Sequence, residues 1–551
     1  MSQVYRNKYL LIDDAFLLEV SNLKRKVNQA VKHPEPVLVL DAPWDTCKSD
    51  CFNYNNVIYD SEEKLFKMWY VVTGNTPDEY WERGRKTAYA TSRDGIHWER
   101  PIMNMVEVDG SKQNNYILPE MLSLTYTIID DPSDVPARKY KIVFQVESEE
   151  MRWANFHMPL CIATSADGIH WNVPTHVNPV IRGISDGGWG FIYDPDRRKY
   201  QLYTRRVPNV PRDISLYESF DLVNWEDMGR VLVPGDEHDP PELFNFQGMV
   251  PFFYEDFCLA LLNTQYSLPN AESYEIFNDP PPDFPAKTLG HVDVQLACSR
   301  DGRQWSRPTD RSPIVPVGEP GSPDAGVIFT PAANPPVIDG ETYIYYTAVP
   351  YQHNARTQSA YMAAHDNDMR RCNSCMLARM PEDHWVSLDA GEQEGTFLTK
   401  PLAPPSQLLV NCDAKEGLVE AEFRTPYGET VEGFTRADCV GVSADGKDQE
   451  IRWKSPTNPR DLLERHMGGL CLRFYVRNAK VYSYSLMEPD PDGTIKAYWD
   501  NAKWNEAILH RSDNWDRASN EPAGGVPQPP GTQLNSGTRF GPNPRADARW
   551  E

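Results

Sequence analysis

The sequence predicts an all-β fold: a five-bladed β-propeller followed by a β-sandwich and an extended C-terminal tail. Two different hairpin patterns alternate in the same order five times within the first four hundred residues, which is typical of a radial array of blades. After Leu398 the alternation of apolar and polar residues changes and indicates further antiparallel strands. Proline is frequent, at 47 of 551 residues, which favours short strands over long helices.

One repeated element is a short β-like run that ends in serine, followed by a polar turn and a tryptophan. Its Asp-Gly pairs are typical of hairpin turns, and the tryptophan is placed to pack back on the sheet. We therefore predict that the four tryptophans belong to the core of the blades. The copies read ATSRDGIHW (90–98), ATSADGIHW (163–171), YESFDLVNW (217–225) and ACSRDGRQW (297–305).

The other repeated element is a hydrophobic run, a polar turn and an aromatic-rich second run, which together predict a β-hairpin. Four copies are followed by the serine-turn-tryptophan element. The fifth is followed by YMAAHDNDM (361–369) and then CMLARMPEDHWVSL (375–388), a degenerate version. Two hairpins per unit predict a four-stranded blade. The five copies read VIYDSEEKLFKMWY (57–70), TIIDDPSDVPARKYKIVF (127–144), FIYDPDRRKYQLYTR (191–205), MVPFFYEDFCLALL (249–262) and PPVIDGETYIYYTAV (335–349).

This organisation predicts four segments along the chain. They are an N-terminal segment that packs on the propeller (1–44), the catalytic propeller (45–398), the sandwich (399–500) and a Pro/Gly-rich tail (501–551). The tail cannot bury enough apolar surface to fold alone. We expect it to strap a neighbouring subunit and so to form a homo-oligomer.

Composition restricts the partners and the compartment. The net charge of −24, from 55 Lys+Arg and 79 Asp+Glu, argues against nucleic acid or an anionic membrane as the main partner. No stretch approaches 18 consecutive apolar residues, and acids interrupt the first twenty residues, so we expect neither a membrane span nor a signal peptide. Ten scattered cysteines are typical of reduced thiols. The sequence thus predicts a cytoplasmic protein.

Five acidic residues stand before the expected inner strands, one for each blade. Loops before inner strands approach one mouth of a propeller funnel. Carboxylates that converge there repel one another, which raises some pKa values and leaves other groups ionised. Such a set can supply an acid together with a base or nucleophile, the chemistry of glycoside hydrolysis. The five are Asp50, Glu120, Asp186, Glu242 and Asp324.

Acids in this position also act as turn or cap residues that accept backbone N–H hydrogen bonds, and this alternative applies to each of the five. The aspartates at the turns of the first three hairpins, Asp60, Asp130 and Asp194, are predicted to be structural.

Further residues near the expected funnel are candidates for substrate binding, together with Glu120 and Asp324. The flat rings of Trp44 and Trp189 could cover the apolar face of a sugar. His238 could orient a neighbouring acid or bind a hydroxyl, and Arg205 could offset the carboxylates or bind an anionic substrate.

These motifs resemble those of the five-bladed propeller glycosidases of glycoside hydrolase families 32, 43 and 68. More closely, they resemble bacterial proteins described as family 32 N-terminal-domain-like. The resemblance rests on the SRDGIHW and SADGIHW copies, on hairpins such as VIYDSEEKLFKMWY and on the trailing sandwich, and it covers about residues 8–490. It implies a propeller fold and a glycosidase activity.

The resemblance also implies three catalytic acids, in the order Asp, Asp, Glu, from the first, third and fourth blades. By position they match Asp50 as nucleophile or general base, Asp186 as transition-state stabiliser and Glu242 as general acid. The Asn-Asp-Pro-Asn-Gly, Arg-Asp-Pro and Glu-Cys motifs of family 32 are missing from the sequence. Asp13 or Asp14 therefore remains an alternative for the first-blade acid.

The main hypothesis is a glycoside hydrolase that cleaves a small, furanosidic (fructosyl- or arabinosyl-type) oligosaccharide or glycoside. It requires no cofactor and no catalytic metal, although a structural Ca²⁺ ion is compatible with the carboxylates. Two alternatives stay open. One is a non-catalytic carbohydrate-binding propeller, and the other is a glycoside phosphorylase of related fold, whose phosphate site would use Arg205 and Arg206.

Overall fold

The protein is all-β in a computed structural model. The described residues form 32 strands and three short 3-10 helices, Pro136–Arg138, Arg436–Asp438 and Pro459–Glu464. Within these residues, no helix has the length and apolar character that a membrane span needs. The structure describes residues 4–45, 50–74, 85–118, 123–145, 158–184, 190–205, 212–240, 242–255, 257–266, 290–329, 334–353, 373–466 and 469–489.

Contacts divide these residues into two units. One, here the meander unit, contains the described residues of 29–307 and 311–382, and the other, here the two-sheet unit, contains those of 4–28, 308–310 and 383–489. This division differs from the expected segments, because the boundary falls after Glu382 rather than after Leu398. It differs also at the N-terminus, where residues 4–28 belong with the C-terminal strands.

Four N-terminal strands come first in the chain and serve both units. They are β1 (Val4–Leu10), β2 (Leu17–Ser21), β3 (Lys24–Val27) and β4 (Val31–Lys32). The first three pair with strands of the two-sheet unit, and only β4 belongs to the meander unit.

The meander unit consists of five groups of antiparallel strands, here the first to fifth meanders. One parallel pair of residues, Val292 and Val327, joins the fourth and fifth meanders into one sheet. The first meander is β5 (Asp50–Asp60), β6 (Leu65–Gly74), β7 (Arg85–Ser92) and β8 (Tyr116–Leu118). The second is β9 (Ser123–Asp130), β10 (Tyr140–Gln145), β11 (Met158–Ser165), β12 (Trp171–Asn172) and β13 (Ile181–Ile184). The third is β14 (Gly190–Asp194), β15 (Lys199–Thr204), β16 (Ile214–Ser219) and β17 (Glu226–Leu232). The fourth is β18 (Leu243–Tyr254), β19 (Phe257–Tyr266) and β20 (Val292–Ser299), and the fifth is β21 (Val327–Phe329), β22 (Val337–Ile338), β23 (Glu341–Val349) and β24 (Ser374–Pro381).

All five predicted hairpins at the starts of the meanders are present, as β5–β6, β9–β10, β14–β15, β18–β19 and β22–β23. The degenerate hairpin predicted for 375–388 is wrong. Its second run, β25 (Val386–Ala390), pairs in the two-sheet unit. The N-terminal β4 instead pairs with β24 and covers an edge that would otherwise expose unpaired backbone groups.

The serine-turn-tryptophan copies share one hydrogen-bond pattern. In 163–171, Ser165 Oγ accepts the N–H of Gly168 at 2.9 Å, and Asp167 Oδ1 accepts the N–H groups of Ile169 and His170 at 2.8 Å. The aspartate bonds recur in the other three copies. All four tryptophans lie in or against hydrophobic clusters, which confirms their predicted place in the core.

Three of these turns also receive a hydrogen bond from the preceding meander. Trp69 Nε1 donates to the carbonyl of Gly168 at 2.6 Å, and Tyr203 Oη donates to that of Gly302 at 2.5 Å. Tyr345 Oη, in the fifth meander, donates to the carbonyl of Gly95, in the first, at 2.9 Å. This last bond joins the end of the series to its beginning.

Hydrophobic clusters fill the spaces between successive meanders. Trp69 shares one with Ile142, Val143 shares the next with Leu202, and Tyr203 shares a third with Leu262. Two further clusters join the fourth meander to the fifth and the fifth to the first. Inner strands contact in the order β5, β9, β14 and β18, and β23 contacts β5.

The two-sheet unit is built around one core that both of its sheets share. Phe397 stacks on Phe474 with ring centroids 4.4 Å apart, and Tyr9 stacks on Tyr484 at 4.8 Å. One sheet has the order β29-β30-β27-β32-β25-β3 with β1 on β32, and the other has the order β2-β26-β31-β28. Its remaining strands are β26 (Gly395–Thr399), β27 (Gln407–Asp413), β28 (Leu418–Arg424), β29 (Cys439–Val440), β30 (Asp445–Trp453), β31 (Cys471–Arg477) and β32 (Ala479–Pro489).

The structural assignment of the turn aspartates is confirmed for Asp60 and Asp194. Each accepts two backbone N–H groups of its own turn at 3.0–3.1 Å. In the second hairpin the turn bonds from Ser133 go to the next residue, Asp131, while Asp130 Oδ2 lies 3.7 Å from Lys139 Nζ.

Replacing Gly168 should destabilise the meander unit. Its φ is +76°, and a Cβ would lie 2.6 Å from Cζ2 of Trp69. Gly110 has a φ of +78° with open space around its Cβ position, so it is a matched control for the backbone conformation alone. We expect Gly110→Ala to cost about 1 kcal/mol and Gly168→Ala to cost about 2 kcal/mol more, measured by chemical denaturation. Equal losses in the two variants would contradict the proposed packing of Trp69.

Candidate functional site

The first strands of the five meanders, β5, β9, β14, β18 and β21, are here called the inner strands, and the end at which they begin is called the entry end. Asp50 is the first residue of β5, opposite Gly74, and its side chain lies outside the described residues. Glu242 directly precedes β18 and is exposed. The predicted residues Glu120, Asp186 and Trp189 lie outside the described residues.

A cluster of buried guanidinium and amide groups lies at the entry end between the third and fourth meanders. Arg205 follows β15 and Arg212 precedes β16, and their Nη1 atoms donate to the same oxygen, Gln247 Oε1, at 2.8 and 2.6 Å. Gln265 Oε1 in turn accepts hydrogen bonds from Gln247 and, at 3.3 Å, from Asn245. The cluster is here called the arginine–amide cluster.

The strand register explains this gathering. A register shift between Phe246 and Gly248 interrupts the pairing of β18 with β19, and Asn245 and Gln247 precede the regular part of the strand. Asn245 Oδ1 also accepts the backbone N–H of Arg212 at 2.8 Å, which links the two meanders. Guanidinium forks and carboxamides are donors suited to hydroxyl and oxyanion groups. Arg205 was predicted from the sequence, whereas its partners were not.

A buried carboxyl, Asp293, lies near this cluster on β20. Its side chain accepts hydrogen bonds from the hydroxyls of Thr264 and Tyr266, and Gln295 Nε2 donates to the Tyr266 hydroxyl at 2.6 Å. Burial raises the pKa of Asp293 to about 7, and the two hydroxyls lower it only in part. A carboxyl with such a pKa can hold a proton near neutral pH and deliver it as a general acid.

The sequence analysis missed Asp293, although a signal was present. In VDVQLACS (292–299) Asp293 and Gln295 alternate with apolar residues, yet every residue of this strand is buried. Two polar residues on one buried face of a strand require hydrogen-bond partners. The neighbouring strand β19 supplies Thr264 opposite Asp293 and Tyr266 for Gln295, and Arg307 Nη1 donates to Gln295 Oε1 at 3.3 Å.

Asp293 and Glu242 lie at the same end of the fourth meander. Leu243, the neighbour of Glu242, pairs with Tyr266, which bonds to Asp293. Strands β18 and β20 are separated by β19, so the two backbones are about 10 Å apart.

Two predicted substrate-binding residues have partners within the protein. Asp324 is buried, and its Oδ2 lies 2.5 Å from Lys32 Nζ and 3.0 Å from Tyr346 Oη. Lys32 belongs to β4, so Asp324 links the N-terminal strand to the fifth meander. Trp44 donates its indole N–H to Asn115 at 2.8 Å and packs against the core of the first meander.

His238 lies in the loop between β17 and β18. Its imidazole is 41% exposed, with Nδ1 3.8 Å from Glu237 Oε1, and its backbone N–H donates to Asp236. Asp236 and Asp239 of this loop are held by Arg307. The loop that carries His238 and ends next to Glu242 is thus tied to the fourth meander by buried arginine.

Comparison with known proteins gives similarity at the level of structure. No family model and no curated protein matches the sequence. A glycosyl hydrolase from Bacteroides ovatus is 12% identical, with 64% of this chain and 94% of that chain covered and a TM-score of 0.40. An N-acetylgalactosamine deacetylase from F. plautii, solved with blood group B trisaccharide, is 14% identical, covers 66% and 96%, and has a TM-score of 0.39. A GH32 beta-fructofuranosidase from Bombyx mori is 11% identical, covers 86% and 94%, and has a TM-score of 0.39.

The solved structures that are similar to this chain thus include glycoside hydrolases, one of them from family 32, which the sequence resembles. At TM-scores of 0.40 and below, these likenesses carry no argument about activity. The function proposed below depends on the residues of this chain.

The raised pKa of Asp293 predicts how stability varies with pH. Because the folded-state pKa of about 7 lies above the ordinary value of 3.8, the wild type loses stability as the pH rises from about 4 to about 7. Asp293→Asn removes this titration. The unfolding free energy of the variant minus that of the wild type should therefore increase by about 2–3 kcal/mol when the pH is raised from 5 to 8.

This difference can be measured by chemical denaturation at the two pH values. Glu237→Gln, at an 88% exposed side chain, is the matched control and should leave the difference from wild type independent of pH. A constant difference for Asp293→Asn would contradict the raised pKa of this buried carboxyl.

Proposed function

We propose that this protein is a glycoside hydrolase that cleaves a small oligosaccharide or glycoside, with a furanosidic, fructosyl- or arabinosyl-type sugar. In this proposal the five meanders are the blades of a five-bladed β-propeller, and the two-sheet unit is a β-sandwich. The observation that carries the proposal is the arginine–amide cluster at the entry end, beside the exposed Glu242. Such groups bind the hydroxyls of a sugar while a carboxyl acts on its glycosidic bond.

The proposed mechanism uses carboxyl groups and requires no cofactor. Glu242 donates a proton to the leaving oxygen, Asp50 is the nucleophile or general base, and Asp186 stabilises the transition state. The position of Glu242 at the beginning of an inner strand supports its part in this proposal. Asp293, whose burial raises its pKa to about 7, is a further candidate for the acid.

The central test is the release of sugar by Glu242→Gln. The amide keeps the shape of the side chain but cannot donate the proton, so we expect kcat to fall by about 10²–10⁴-fold without unfolding. The assay uses a panel of α- and β-aryl glycosides, furanosides and pyranosides, together with short oligosaccharides. Glu237→Gln, in the same loop, is the matched control and should keep full activity.

Two outcomes would contradict this assignment. Full activity in Glu242→Gln would remove Glu242 from the mechanism, and a parallel Asp293→Asn assay would then identify the acid. Sugar binding by wild type without cleavage of any substrate would favour a non-catalytic carbohydrate-binding propeller.

A glycoside phosphorylase is the second candidate, because two guanidinium groups meet at one oxygen of Gln247. A phosphate ion would be bound by Arg205 and Arg212, a different pair from the Arg205 and Arg206 expected from the sequence. The two reactions differ in their products. Release of a sugar phosphate only when inorganic phosphate is present would establish the phosphorylase, and release of free sugar without phosphate would exclude it.

We propose further that the C-terminal tail holds subunits together in a homo-oligomer. The support is its composition, rich in Pro, Gly and Asn, which favours an extended strap. Removing the residues after 515 should lower the mass measured by light scattering, and the same mass in both proteins would contradict the proposal. From the composition we also predict a cytoplasmic location and no binding to nucleic acid or to membranes.

A further inference from the structure

One buried arginine, Arg307, is linked to both candidate acids of the proposed site. It follows β20, and its side chain is 1% exposed. Its Nη2 binds Asp239 in the loop 233–240 between β17 and β18, and its Nη1 donates to Gln295 Oε1 on β20 at 3.3 Å. A single guanidinium group thus joins this loop to the strand that carries the buried carboxyl.

Asp239 is the residue around which the loop folds. Its Oδ2 accepts the backbone N–H groups of Gly235 at 2.9 Å and Asp236 at 3.3 Å, in addition to the guanidinium of Arg307. The side chain of Asp239 is buried as completely as that of Arg307, so their ion pair is shielded from water. Loss of this pair would therefore loosen the whole loop.

The loop leads directly into the backbone that carries Glu242. The N–H of Leu243, the first residue of β18, donates to the carbonyl of Pro240, the last residue of the loop, at 3.0 Å. Glu242 stands within this turn and is exposed. By holding the loop, Arg307 holds the backbone of Glu242 in one place.

The second contact of Arg307 begins a hydrogen-bond chain that ends at Asp293. Gln295 Nε2 donates to the hydroxyl of Tyr266 at 2.6 Å, and Tyr266 bonds to Asp293. Because arginine can only donate, it requires the oxygen of the Gln295 amide, and the amide nitrogen must then face Tyr266. Tyr266 accepts this bond and directs its own proton to Asp293. Arg307 thus fixes the direction of every bond in the chain.

The titratable groups around Asp293 come from β19, β20 and the loop. On β19, burial raises the pKa of Tyr266, and the charge of Asp239 in the loop raises it further. On β20, the ring of His291 stacks on Tyr266 with centroids 4.6 Å apart, and burial lowers the pKa of His291, which favours its neutral form. The phenol of Tyr266 therefore keeps its proton over the pH range in which Asp293 titrates.

We propose that Arg307 is a positioning residue of the active site: one arm of its guanidinium fixes the loop beside Glu242, and the other fixes the direction of the hydrogen bonds at Asp293. The parts that the two acids play in catalysis rest on the proposed glycosidase function, whereas the two contacts of Arg307 do not. The proposal goes beyond that function because it couples Glu242 and Asp293 through one side chain.

The two arms of Arg307 can be broken separately. Asp239→Asn removes the charge that Arg307 binds in the loop, and Gln295→Met removes the link to Tyr266 at nearly constant volume. Hydrogen–deuterium exchange with mass spectrometry follows the backbone amides of 233–240. The titration midpoint of Asp293 is obtained by chemical denaturation at a series of pH values, for each protein with and without Asp293→Asn.

Each variant has a distinct expected result. Asp239→Asn should speed exchange in the loop about tenfold and lower kcat about 10–100-fold, with the midpoint of Asp293 as in wild type. Gln295→Met should raise the midpoint by about one pH unit, because Tyr266 becomes a weaker donor to the carboxylate, with loop exchange as in wild type. Arg307→Met should produce both changes, whereas an arginine with a merely structural role would loosen the loop without moving the midpoint.

Two exposed residues provide matched controls. Glu237→Gln removes a charge from the same loop, at an 88% exposed side chain, and Gln304→Met repeats the glutamine-to-methionine change at an exposed position after β20. Both should behave like wild type in loop exchange and in the midpoint of Asp293.

Any of three results overturns the proposal. Asp239→Asn exchanges like wild type in the loop, or Gln295→Met keeps the wild-type midpoint, or loop exchange rises in Asp239→Asn while kcat stays unchanged. If wild type cleaves no substrate, the proposed glycosidase function fails, and exchange and midpoint still decide whether Arg307 couples the two groups. If Arg307→Met does not fold, the two single-arm variants decide the question.

Discussion

The hydrogen bond from an aromatic side chain of one meander to the turn glycine of the next is the interaction on which the meander unit depends most. Successive meanders share hardly any backbone pairing, so side chains must hold each sheet against its neighbour. Trp69, Tyr203 and Tyr345 each bring a large ring and one donor to this contact. The positive φ of this position favours glycine, and the close approach of the ring leaves no room for a Cβ, as at Gly168. In the third copy Leu222 replaces the glycine and joins the apolar cluster instead.

Buried polar groups gather where the inner strands begin. Others, elsewhere in the meanders, form ion pairs, such as Lys67 with Asp60 and Lys141 with Asp134. At the entry end Gln247 and Gln265 connect two arginines to the sheet, and Asp293 is held by hydroxyl groups alone. The strands hold these side chains in fixed positions, and the loops at the entry end surround them. Ligand sites are typically built in this way.

The two ends of the same inner strands therefore have different chemistry. One end gathers guanidinium, amide and carboxyl groups, and at the other end a mainly apolar cavity is lined also by Asp130 and Asp131. The difference arises within single strands, as in β18, which begins with Asn245 and Gln247 and ends with Phe252 and Phe253. Alternation along a strand decides which face is buried, but the change from polar to apolar along its length decides what each end can bind.

The sequence by itself determined what depends on neighbours in the chain: the hairpins, the serine-aspartate turns and the tryptophans that pack on them. These follow from hydrogen bonds and contacts within about ten residues, so they repeat wherever the motif does. Tertiary structure alone decided which strand covers an open edge, and it placed β4 beside β24 and β25 in the other unit. It also decided that Asp131 takes the turn bonds instead of Asp130, and that Asp293 is buried opposite Thr264. The positions of Glu242 and Arg205 could be predicted from the repeat, whereas the partners of Arg205 could not, because they lie on strands whose register only the folded sheets establish.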